Sequence, residues 1–161
     1  MSYRSYNYVS EVRKLSPLFY QAYPLEAFPE IERKSARGYE TLLVERREDY
    51  YICIPFRSHI THKNAFLFRE SVRSRNHASG LDYSKICIIK NEEYIDPNPG
   101  VIDQDEYSEM QRNLDRIVGE ACEYIDKYVA HIKGYHTLER HVFQRKYMYT
   151  TLKYFHNELE L

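Results

Sequence analysis

The sequence predicts an α+β fold with its strands first and its helices after them. Three features carry that expectation. Thr41 to Glu45 and Tyr50 to Ile54 are β-branched, aromatic and apolar runs on either side of a charged Arg-Arg-Glu-Asp turn, the pattern of a hairpin. Ile86 to Ile89 is a short, wholly apolar run following Gly80, suited to a buried strand. Between 105 and 133 the apolar residues return every three or four positions, the repeat of an amphipathic helix.

Along the chain, the stretch from Tyr8 to Leu18 suits a short helix or strand. Pro17, Pro24 and Pro29 each remove a backbone donor and bias the preceding residue to an extended shape, so 16–33 reads as a loop. The hairpin follows. Ser58 to Gly80 is rich in Arg, Lys, His and Ser and reads as a functional loop with one short helix or strand near Ala65 to Phe68. Asp96-Pro-Asn-Pro-Gly100 is the strongest breaker. The long helix then places Met110, Leu114, Ile117, Val118, Ala121, Ile125, Val129 and Ile132 on one face, with acidic residues at its start that suit the helix dipole. Gly134 ends it, and a second helix is expected from Thr137 to about Asn157. The whole of 1–161 reads as one domain, with the sheet and basic segment in 34–96 and the helical part in 105–157.

A chain of 161 residues that is 43% hydrophobic can bury a real core, and it has no apolar run long enough to span a membrane. Its first twenty residues contain no apolar stretch of the secretory kind, so a cytoplasmic protein is expected. Cys53, Cys87 and Cys122 are odd in number, far apart and set in apolar segments, which suits buried reduced thiols. His59 and His62 have no third ligand at metal-binding spacing nearby, so neither a metal nor another cofactor is expected. The net charge of −1 hides an asymmetry. Residues 57–90 carry 7 basic and 2 acidic groups, whereas 91–161 carry 8 and 14. A positive field for a polyanion therefore belongs to the centre of the chain.

That centre begins with Arg57, Ser58, His59, Thr61, His62 and Lys63, directly after a strand. Groups just past a strand end are held in place yet stay open to a ligand. Cleaving RNA without a metal needs a group to take the 2′-hydroxyl proton, cations to stabilise the phosphorane and a group to protonate the leaving 5′ oxygen. His, Arg and Lys answer those needs, and Ser58 and Thr61 can hydrogen-bond the nonbridging oxygens. The same residues also suit an anion-binding loop without chemistry. Lys34 and Arg37, upstream of the first strong strand, are expected at the same sheet end as Arg57. Arg69, Arg73, Arg75 and Lys85 add positive charge, and Tyr39 is one of 17 tyrosines that offer stacking surfaces for bases.

The succession of a basic loop, Tyr39-Glu-Thr-Leu-Leu-Val-Glu45, a charged turn, Tyr50-Tyr-Ile-Cys-Ile-Pro-Phe-Arg-Ser-His59, the basic segment His59 to Phe66 and Gly80 to Ile89 resembles type III toxin–antitoxin toxins. That group comprises ToxN and AbiQ with the CptN and TenpN branches, and the likeness covers about residues 34 to 96. The resemblance implies a small, strongly bent antiparallel sheet, an SH3-like barrel of the MazF and Kid kind, with C-terminal helices packed on it. It implies an endoribonuclease toxin that needs no cofactor and leaves a 2′,3′-cyclic phosphate. Cellular or phage RNA would be the substrate, in phage defence or plasmid maintenance. The inhibitor would be a small repeat-derived pseudoknot RNA, often in a closed ring of alternating toxins and RNAs. Pro55, Phe56 and Ser58 match the family motif after the second strand, whereas Arg57 stands where a Thr is common, and Lys63 takes the family lysine after a small shift. Lys34 or Arg37 takes the upstream basic position. The division of labour among Arg57, Ser58, His59 and Lys63 stays open.

Overall fold

The computed structural model describes residues 10–33, 40–46 and 50–161. Lys34, Arg37 and Tyr39 lie outside the described residues, as does most of the turn between the hairpin strands.

Six antiparallel strands form the sheet: β1 (Ser10–Lys14), β2 (Glu40–Arg46), β3 (Tyr50–Arg57), β4 (Ala65–Leu67), β5 (Gly80–Asp82) and β6 (Cys87–Ile89). Their order is β1-β2-β3-β5-β4, with β6 also on β3. The expected hairpin is β2–β3, with Thr41 opposite Pro55 and Arg46 opposite Tyr50. On its other edge β3 is shared: Tyr51 to Cys53 pair with β6, and Phe56 and Arg57 pair with β5. Between those two partners the chain makes a 3-10 turn, Tyr83–Lys85, against β3, and Ile54 and Pro55 have no ladder partner on this edge. The ladder is interrupted where β3 carries a residue without an N–H.

Ile52, Cys53, Ile54 and Pro55 are buried in succession, so β3 is covered on both faces. Three helices follow the sheet: α2 (Gln104–Arg112), α3 (Leu114–Lys133) and α4 (Arg140–Tyr147). Ile117, Val118, Ala121, Cys122, Tyr124, Ile125 and Tyr128 form the buried stripe of α3 and share one core with Leu42, Val44, Ile52, Ile54 and Ile88. Each such aliphatic or aromatic side chain contributes roughly 1.5–3 kcal/mol when fully buried. Gly134 ends α3 as expected, at φ 76, with its N–H bonded to Ala130 and His131 carbonyls.

Three expectations need correction. Residues 16–33 are not all loop: α1 (Pro17–Ala22) starts there, with Ser16 as its cap and Pro17 in its first turn, where a missing N–H costs nothing. The helix over 105–133 is two, broken at Asn113, whose side-chain amide donates to Glu109 O at 2.8 Å. The last helix stops at Tyr147; Thr150 then caps a separate 3-10 turn, Thr151–Tyr154, by accepting from Leu152 N. The three cysteines are buried free thiols. Burial pushes the Cys87 thiol up to about 12, against the pull of Arg33 and Lys85. Among the described residues no helix is long and apolar enough to cross a membrane.

After a further 3-10 turn, Glu92–Tyr94, residues 95–100 run beside β1. Ile95 bridges Leu15, Asp96 N donates to Lys14 O at 2.9 Å, and Gly100 N donates to Val12 O at 2.8 Å. A Cβ on Gly100 would press on the Glu40 carboxylate and stand 2.9 Å from Val12 Cγ1 and 3.0 Å from the Val12 carbonyl oxygen, so glycine suits this close approach.

Candidate functional site

Arg57 is the last residue of β3 and pairs in register with Gly80, the first of β5. Three residues of β5 suffice to bring Asp82 under it. The Asp82 carboxylate is fully buried and accepts from Arg57 at 2.5 Å and from His62 Nε2 at 3.1 Å. Its other oxygen accepts from the Ser84 backbone at 2.9 Å and the Ser84 hydroxyl at 2.6 Å. Burial alone would raise its pKa. The hydrogen bonds from His62 and Ser84, the nearby His62 and the bond from Arg57 outweigh it, and the group titrates below the usual 3.8. Arg57 also meets Glu32 at 3.2 Å.

Ser84, His62 and Asp82 have the composition of a hydrolytic triad without its geometry. The hydroxyl and the carboxylate both approach the same ring nitrogen, Nε2, at 3.3 and 3.1 Å. The other nitrogen, Nδ1, accepts from the Asn64 backbone at 3.1 Å. A triad needs one nitrogen for the nucleophile and the other for the acid. This cluster instead fixes the Arg57 guanidinium and fastens the 62–64 turn to β5.

Beyond the strand end, Arg57, Ser58 and His59 line one cleft of about 460 Å³. Phe56, Phe68, Val101 and Ile102 supply its apolar walls, and Arg73 brings a second guanidinium. His59 sits at φ 58, a left-handed conformation costing an L-residue roughly 1–3 kcal/mol, and its ring packs on His77 with centroids 4.0 Å apart. The 58–60 turn is tied to the opposite loop by Ile60 N donating to Ala78 O at 3.0 Å.

The other candidate residues are distributed differently. Thr61 and Lys63 are exposed, and neither is among the cleft's lining residues. His62 is engaged by Asp82. Arg69 and Arg75 are exposed outside the cleft, and the Arg69 backbone amide bonds Glu109 at 2.9 Å. Lys85, expected on an RNA surface, is only 9% exposed; its ammonium donates to Tyr149 O at 3.0 Å and meets Glu30 at 3.4 Å. Its place is structural.

The cleft was expected to be basic and is mixed. Glu40, Asp103 and Glu106 line it beside the arginines, and Arg73 is paired with Asp103 at 3.1 Å. In sequence the acids at the start of the 105–133 repeat read as partners of the helix dipole. Their spacing held more: Asp103 and Glu106, three apart, turn to the cleft, while Asp105 and Glu109, four apart, bind the backbone amides of 69–72. Burial raises the Glu106 carboxyl above the usual 4.5, with Arg73 pulling down and Asp103 pushing up. Asp82 could not be read at all, since its pairing with Arg57 spans 25 positions of sequence.

Among the described residues no group of three or more His, Cys, Asp or Glu side chains is placed to hold a metal ion. No family model, curated protein or solved structure matches this chain.

Proposed function

We propose that the chain is a metal-independent endoribonuclease of the type III toxin kind, acting on cellular or phage RNA in the cytoplasm. The 2′ hydroxyl attacks the adjacent phosphorus, leaving a 2′,3′-cyclic phosphate and a 5′ hydroxyl. A repeat-derived pseudoknot RNA would inhibit it by filling the same cleft, in a toxin–RNA assembly such as a closed ring. One observation carries the reading: a guanidinium, a hydroxyl and an imidazole from Arg57, Ser58 and His59 line a single cleft beside a strand end. The guanidinium is held by a fully buried carboxylate, the preorganisation that stabilising a phosphorane requires. The apolar walls lower the local dielectric and strengthen each charge that faces the substrate.

The test is incubation of the purified chain with end-labelled RNA in excess EDTA. Cleavage yielding 5′-hydroxyl and cyclic-phosphate ends, lowered roughly 100-fold or more by His59→Ala, is the expected result. RNA that stays intact but is bound in a salt-dependent way identifies a noncatalytic RNA-binding module instead. Activity that the chelator abolishes identifies a metal-dependent hydrolase.

A further inference from the structure

Glu106 stands on the first turn of α2 with 5% of its surface exposed, yet it lines the cleft that holds Arg57, Ser58 and His59. Its neighbours on the helix show what a structural carboxylate does in this fold. Glu109 accepts from the Arg69 and Glu70 amides at 2.9 Å each, and Asp105 accepts from the Val72 amide at 2.8 Å. Glu106 fastens no such loop: among the described residues no backbone amide donates to its carboxylate. Its Oε2 accepts from the Ser79 hydroxyl at 3.3 Å, long for an O–H···O bond. A carboxylate so buried and so lightly bound is costly to the fold, and such a cost persists where the group has other work.

We propose that Glu106 is the proton acceptor of the cleft, taking the proton of the attacking 2′ hydroxyl while His59 delivers one to the departing 5′ oxygen. This assignment rests on the ribonuclease reading above. As the 2′ oxygen bonds to phosphorus, its proton passes to the Glu106 carboxylate. The bond from phosphorus to the 5′ oxygen breaks, and that oxygen keeps the electron pair and takes a proton from the His59 imidazolium. No water, oxidant or metal enters. The products are a cyclic phosphate and a 5′ hydroxyl, with Glu106 protonated and His59 neutral, and solvent exchange restores both.

The surroundings suit these roles. Burial strips water from the carboxylate, which makes it the more basic. The charged groups around it are Arg73, Asp103 and Asp105 on its own side, with Arg57, His59 and Glu40 among the other groups lining the cleft. Arg73 holds its basicity in check, and Arg57 and Arg73, both lining the cleft, are the cations placed for the nonbridging oxygens. Ser79 also holds it down through its hydrogen bond, which gives a handle on Glu106 that leaves the carboxylate in place.

The experiment is single-turnover RNA cleavage as a function of pH for the intact chain, Glu106→Gln and Ser79→Ala, with RNA affinity and Tm measured for each. Glu106→Gln is expected to lose roughly 10²- to 10⁴-fold in rate while keeping its RNA affinity. A base must be deprotonated to act, so the wild-type rate falls as pH falls through the Glu106 titration. Ser79→Ala removes a bond that lowers this titration, so the same limb is expected to move to higher pH. If Glu106→Gln cleaves within a few-fold of wild type, or the limb in Ser79→Ala does not move, Glu106 is not the acceptor. Should Glu106→Gln fail to fold, the limb in Ser79→Ala decides alone. A wild-type chain that leaves RNA intact removes the ribonuclease reading itself, a result distinct from the other two.

Discussion

The Arg57 guanidinium at the end of β3 donates to Asp82 Oδ2 at the end of β5 across 2.5 Å. The carboxylate has no exposed surface, so Arg57 is its close cationic partner and His62 and Ser84 complete its hydrogen bonds. The cleft's one strand-end cation is therefore part of the fold's internal electrostatics as well as of its surface.

Asp82→Ala is expected to cost roughly 1–3 kcal/mol, because it leaves the His62 and Ser84 donors without their acceptor while Arg57 keeps Glu32. Urea unfolding at neutral pH measures this. The depressed titration of Asp82 sets the sign with pH: its contribution is present above the ordinary 3.8 and is lost as pH falls below it. The gap between wild type and Asp82→Asn is expected to narrow in acid, and a gap that is constant with pH contradicts the assignment.

Glu106 has the opposite sign. Its folded-state titration lies above the ordinary 4.5, so the native state binds the extra proton and loses stability as pH rises through that interval. Glu106→Gln is expected to be more stable than wild type at pH 7, with the advantage vanishing below about pH 4.5. Thermal melts across pH 3–8 test it, and equal melts at pH 7 refute it.

His59→Gly separates strain from activity. Glycine adopts φ 58 without steric cost, so the substitution is expected to be neutral or to stabilise by up to about 1 kcal/mol, while RNA cleavage is lost. A clear drop in Tm would mean that the ring contact with His77 outweighs the backbone strain.

Lys85→Met is expected to destabilise by about 1–2 kcal/mol through loss of the bonds to Tyr149 O and Glu30. The salt dependence of RNA binding is expected to stay as in wild type. Arg73→Ala is expected to lessen its slope by about one phosphate contact. The pair distinguishes a structural cation from a cleft cation in a single titration series.

The hairpin and α3 were legible because their signals are local: β-branched residues around one turn, and an apolar repeat closed by Gly134. The start of α1 was also written locally, as Ser16-Pro17, but the prolines around it read more strongly as breakers. The break at Asn113 was hidden because Met110 and Ile117 enter the same core from both sides of it, which preserves the repeat through the kink. Three-residue strands such as β4, β5 and β6 are too short for a period to show. In the cleft, sequence located Arg57, Ser58 and His59, which adjoin a strand. It missed the carboxylates, whose roles are set by partners 25 to 30 positions away.

The strip from Ile95 to Gly100 leaves the outer rim of β1 occupied. Donors from Asp96 and Gly100 already fill the carbonyls of Lys14 and Val12, and the Arg13 side chain reaches back to the carbonyls of Asp96 and Pro97. A foreign strand seeking to extend the sheet there would find its hydrogen bonds taken. That rim therefore resists the edge-to-edge stacking that begins fibrils.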